Sequence, residues 1–218
     1  MRVDRDGNAG DTAVIPNSEY KRIGLSRRIG TRSVGTVLPF SAEHHWSVTA
    51  TGDVVTVIGD RYAIDVRRAD GSVLRLTRAA PAVTVTPEER AAEETRVARV
   101  FQRYIPDWSW EGPRIPEAKP PVSWMHTGAD GTIWVRVAQP GTVIPEAERG
   151  RNARSYVQEP QVFDVYESGG AFLGQVRAPD NMLLLPFPVL SRESVMAVAR
   201  GANGVHVVIR YRFSAQTK

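Results

Sequence analysis

Chemistry-bearing side chains gather in a few short stretches of this 218-residue sequence. Trp108 and Trp110 alternate in a Pro-rich segment, and Arg149, Arg151, Arg154 and Tyr156 cluster further along. Paired indoles offer flat apolar faces for a sugar or peptide, and arginine forks grip a carboxylate or phosphate. Together they describe a binding surface for a peptide, glycan or protein ligand. The plainer reading is that both tryptophans pin a helix to a sheet and that Arg149-Gly-Arg-Asn-Ala-Arg154 is a solvated loop. Glu43, His44 and His45 are metal-ligand types, but neighbouring residues on a strand point to opposite faces. They make a partial set for a divalent cation, and no cofactor is the leading expectation. Arg27, Arg28 and Arg32 belong to a basic stretch that reads as a solvated loop or an anion contact. His126 and His206 read as structural.

Other chemistry is excluded or lacks a signal. The chain has no Cys, which removes disulfides, thiolate metal sites and a Cys nucleophile. It has no Gly-x-Ser-x-Gly, Gly-rich phosphate loop, His-Glu-x-x-His or calcium loop. Glu88, Glu89, Glu93 and Glu94 sit at a helix start, where the dipole favours them. A hydrophobic fraction of 42% and a charged fraction of 24% suit a globular protein. The net charge of +4 is spread among many acids, so nucleic acid is not an expected partner. Met182 to Leu190, the longest apolar run, is about half a bilayer span and holds two prolines. The N-terminus lacks the apolar core of a signal peptide.

The elements that must position these residues come from a hairpin that occurs twice. Residues 63–79 and 162–178 superimpose without a gap: Asp65 falls on Asp164, Gly71 on Gly170, Leu74 on Leu173 and Arg78 on Arg177. A long-period repeat marks a fold built from copies of one unit. Period-two alternation predicts four strands at Trp46–Ala50, Val54–Ile58, Tyr62–Val66 and Val73–Thr77, a meander over 41–80. Thr86-Pro-Glu-Glu89 starts a helix near 87–104 whose Val97, Val100, Phe101 and Tyr104 share one face, and Pro106 ends it. A second meander covers 121–179, and a three-stranded unit covers 182–213. The hairpin copies lie 99 positions apart while the preceding strands lie 78 apart, so about 21 residues are inserted at 139–159. Residues 1–16 read as an outer hairpin, and 17–40 as irregular, with Gly24, Gly30 and Gly35 discouraging regular structure.

Asp130-Gly-Thr-Ile-Trp-Val135, Phe163-Asp-Val-Tyr166 with Gly169-Gly170, and Val207-Val-Ile-Arg-Tyr-Arg-Phe213 give the chain a family likeness. It resembles the C-terminal part of a six-bladed β-propeller of the NHL-like group, to which bacterial six-bladed propellers of unknown function are similar. The fold class expected is all-β, with about three blades of four-stranded antiparallel meanders and one inserted helix. The resemblance implies missing N-terminal blades or, if the chain is complete, a homodimer closing a six-bladed ring. It also implies export or a periplasmic location, with the signal in the missing part. Strand parity sends the excursions 17–40, 80–120 and 139–159 to one face. The expected function is a non-enzymatic binding module using that face. The alternative is a metal-dependent hydrolase of the propeller lactonase type.

Overall fold

The computed structural model describes residues 15–16, 20–150, 153–201 and 203–213. The chain is mostly β, with antiparallel sheets and, among the described residues, one α-helix and no closed barrel. The hairpin expected at 1–16 lies, apart from residues 15 and 16, outside the described residues.

The stretch read as an irregular loop is a hairpin of β1 (Gly24–Ile29) and β2 (Arg32–Val37). Gly30 takes φ +60° at its tight turn, where glycine is at ease. Gly24 and Gly35 lie within the strands, where an added Cβ would meet the carbonyl oxygens of Thr36 and Leu25 at 2.9 and 3.0 Å. These glycines permit close backbone approach, and reading them as breakers is corrected.

The first meander is β3 (His44–Val48), β4 (Val54–Ile58), β5 (Ala63–Arg67) and β6 (Val73–Thr77), paired in chain order. Helix α1 (Pro87–Gln102) follows. The second meander is β7 (Val122–Thr127), β8 (Ile133–Val137), β11 (Val162–Tyr166) and β12 (Phe172–Arg177). Between its second and third strands, the insertion folds on itself as the short pair β9 (Thr142–Val143) and β10 (Val157–Gln158). A three-stranded sheet of β13 (Val189–Leu190), β14 (Ser194–Arg200) and β15 (His206–Arg212) completes the described chain.

Alternation along the strands gives each sheet two apolar faces, and the sheets stack in chain order. Val55, Val57, Ile64 and Val66 of the first meander pack on Met125, Ile133, Val135 and Val162 of the second. Trp134, Phe163 and Val165 on its other face pack on Leu190, Val195 and Ala197 of the third sheet.

Thr86 caps α1 with the expected capping box: its side chain accepts from Glu89 N–H, and the Glu89 carboxylate accepts from Thr86 N–H. Val97 and Phe101 are fully buried among Leu25 of the first hairpin, Leu38 just after it, Trp108 and Ile115. Tyr104 lies beyond the helix end and is exposed.

Two glutamates read as helix-start charges are buried anchors for the insertion. Glu89 Oε1 accepts from Lys119 Nζ at 2.7 Å and Gly141 N–H at 3.0 Å. Glu93 Oε1 accepts from Ser155 Oγ and Tyr156 N–H, each at 2.6 Å. The dipole favours the charge of Glu89 in the first turn, and these donors compensate the burial of both carboxylates.

Candidate functional site

The inner strands and all three excursions line one open cleft of about 1120 Å³. β3 supplies residues 44–48, β7 supplies 123–126, and the segment before β13 supplies Leu184, Leu185 and Phe187. The first excursion contributes residues 35–41, α1 contributes Glu93, Arg96 and Val100, and the insertion contributes residues 153–155. Parts of all three excursions thus border the cleft alongside the inner strands.

Its surface is apolar and aromatic. Trp46 is 53% exposed, Leu185 51% and Phe187 58%, which is high for side chains of this size in one concavity. His126 stacks on Phe187 with ring centres 4.6 Å apart and planes within 12°. Trp124 lies 5.8 Å from His126.

The polar groups of the cleft are mostly committed to one another. Arg22 donates to Glu43 at 2.9 Å, and Arg96 donates to Glu93 at 2.5 Å. Ser47 Oγ lies 3.2 Å from His126 Nδ1 and 2.6 Å from Thr127 Oγ1, and it also accepts from Thr127 N–H. This hydroxyl is a buried clamp between β3 and β7, where a nucleophile needs an open face and an oriented base. Burial pushes His45 down to a pKa of about 4, with His44 and Arg22 adding to the effect, so the ring is neutral at pH 7. Burial lowers His126 as well.

The residues singled out in the sequence separate. Trp108 is buried and stacks on Phe101 at 4.6 Å, so its ring fills the core beneath α1. Trp110 packs edge-on against Trp108 and donates to the Pro113 carbonyl, facing a separate groove beside α1. Arg149 donates to the Ile144 carbonyl and lies over the ring of buried Tyr156 at 4.7 Å. Arg151 lies outside the described residues. Among the described members of this set, Arg154 alone lines the cleft.

Arg27 pairs with Glu111, and Arg28 donates to the Gly30 carbonyl. Glu43, His44 and His45 all line the cleft, yet no group of three metal-ligating side chains forms among the described residues. Sequence reasoning missed Trp46 and Trp124 because their strands read as ordinary core, and Leu185 and Phe187 because they sit in an apolar run before β13. The signal was Trp46 and Trp124 in first strands of successive meanders.

No family model matches the chain, and no curated protein sequence does. Among solved structures, the chain is similar to a member of the DUF4221 family from Bacteroides vulgatus, with a TM-score of 0.47 and 7% identity. The match covers 81% of this chain and 48% of that one, so the chain spans about half the length of that protein. No helix among the described residues is long and apolar enough to cross a membrane.

Proposed function

We propose that the protein is a non-enzymatic binding module built of β-propeller blades, with its ligand held in the cleft between the inner strands. The observation that carries this reading is the convergence of both inner strands and all three excursions on one aromatic-lined concavity. The stacked meanders support the blade interpretation. So do the apolar rows left on the outward faces, Val48 and Val73 on the first sheet and Met196 and Val208 on the third. Rings of this kind suit a peptide or protein segment with an apolar side chain, or the face of a sugar.

Probing peptide and glycan arrays with the whole chain tests the reading. Array hits are expected to disappear in Trp46→Ala and Phe187→Ala and to persist in Trp110→Ala and Arg149→Ala, which change residues outside the cleft. Hits that survive the combined Trp46→Ala and Phe187→Ala change would refute it.

A further inference from the structure

Beside the cleft, a smaller chamber of about 330 Å³ lies between the starts of β3 and β7 and the end of β8. The two spaces share Phe40, Ser41, Glu43, His45, Ser123 and Ser155, so they adjoin. His45 Nε2, Ser123 Oγ and Arg136 Nε all border the chamber, and each is buried without a hydrogen-bond partner among the described residues. Ser123 is the extra residue of a β-bulge, its neighbours Val122 and Trp124 pairing with Val137 and Arg136. Bulges re-aim a side chain out of the regular alternation. Arg136 is the one charged residue of β8, whose other side chains are buried.

The charges around the chamber leave Arg136 with unspent donor capacity. Lys119 Nζ donates to Glu89 at 2.7 Å and to the Gln139 carbonyl at 2.9 Å, and it pairs ionically with Glu159 at 2.8 Å, so its charge is committed. Glu159 acts on Arg136 through its charge but is held by Lys119. Glu43 is held by Arg22. A guanidinium with a buried, unsatisfied N–H destabilises a fold, and such a group points to an acceptor supplied from outside.

We propose that this chamber binds the carboxylate of an organic ligand, with Arg136 as anchor and Ser123 and His45 as further hydrogen-bond partners, while the ligand's apolar body lies along Trp46 and Phe187. The assignment rests on the binding reading above and specifies the ligand class. A monoanion matches one guanidinium whose Nε–H has no partner among the described residues, whereas the carboxylates of Glu159 and Glu43 disfavour a dianion such as a phosphate monoester. A free organic acid and the C-terminus of a peptide present the same group.

Calorimetric titration of the whole chain separates these sources. One pair of probes is 3-phenylpropionate and its primary amide. The other is a short peptide ending in Phe, with a free or an amidated C-terminus. In at least one pair the acid is expected to bind about tenfold or more tightly than its amide, and the pair that does so identifies the source. Arg136→Gln is expected to erase that preference while its ligand-free melting temperature equals or exceeds that of the parent. Ser123→Ala, a change of one hydroxyl, is expected to narrow the preference with the fold intact.

Equal binding of acid and amide in both pairs would overturn the carboxylate assignment while leaving the cleft reading standing. A preference undiminished in both variants, or no binding of any probe, would also overturn it. In the last case, array hits dependent on Trp46 would still support the cleft.

Discussion

His45 couples the cleft to stability through its burial. The folded pKa of about 4 lies below the ordinary 6.5, so the unfolded chain binds the proton more readily. The contribution of His45 is therefore complete above pH 6.5 and is lost as pH falls toward 4. The full shift corresponds to roughly 3 kcal/mol. Denaturant titrations at several pH values between 4 and 6.5 are expected to show a shallower loss for His45→Gln than for the parent. Identical slopes would show that the imidazole is not held neutral. The same burial leaves Nε2 available to hydrogen-bond a ligand without adding charge, as the chamber requires.

At the scale of elements, the repeat and the helix cap give sharper tests. The two hairpins align in sequence without a gap but do not keep one register. In the first copy Arg67 pairs with Val73 and Val66 with Leu74, and the register runs unbroken to the strand ends. In the second copy Tyr166 pairs with Phe172, and Val165 then pairs with Gly174, so Leu173 is an extra residue beyond which the pairing shifts by one. Gly71 and Gly170 occupy the same turn position, with φ of +85° and +93°. A Cβ at Gly71 would meet nothing within 4 Å, whereas at Gly170 it would meet Leu76 and Leu74 at 2.8 and 2.9 Å. Gly71→Ala is expected to cost about 1 kcal/mol from the left-handed backbone alone. Gly170→Ala is expected to cost about 1 to 3 kcal/mol more through overpacking. Equal unfolding midpoints for the two variants would contradict the packing of this turn on the first meander. Thr86→Ala removes the cap of α1 and is expected to lower stability by about 1 kcal/mol, measured by thermal melting.

At the scale of the whole molecule, sheet stacking decides what one repeated residue does. Asp65 and Asp164 are equivalent in the repeat. Asp65 points away from the second meander and pairs with Arg75 of its own hairpin, with its side chain 31% exposed. Asp164 points toward the first meander, with its side chain 2% exposed, and accepts from Tyr62 at 2.7 Å and Gln175 at 2.9 Å while pairing with Arg78 at 2.8 Å. Asp65→Ala is expected to cost less than about 1 kcal/mol, as for an exposed pair. Asp164→Ala removes a buried acceptor of Tyr62 and Gln175 together with the partner of Arg78, and is expected to cost about 2 kcal/mol. Chemical denaturation of the two variants measures the contrast, and similar midpoints would refute the stacking as the source of the difference.

Much of the fold was legible because it is local. Period-two alternation placed the strands of the meanders, Thr86-Pro-Glu-Glu89 placed the helix start, and the offset between hairpin copies placed the insertion. The hairpin at 24–37 was hidden because glycine discourages strands in isolation but permits them where a partner backbone comes close. The candidate site was legible only in part: His45 and Arg154 stood out by residue type, while Trp46, Trp124, Ser123, Arg136 and Phe187 look like ordinary strand or loop residues. Local alternation determines which side chains share a face of a sheet, and the sequence carries that information by itself. What lies opposite each face depends on contacts far apart in the chain, so tertiary structure alone decided that Trp108 fills the core, that Asp164 is buried while Asp65 is not, and that Arg136 borders a chamber with its Nε–H unmatched among the described residues.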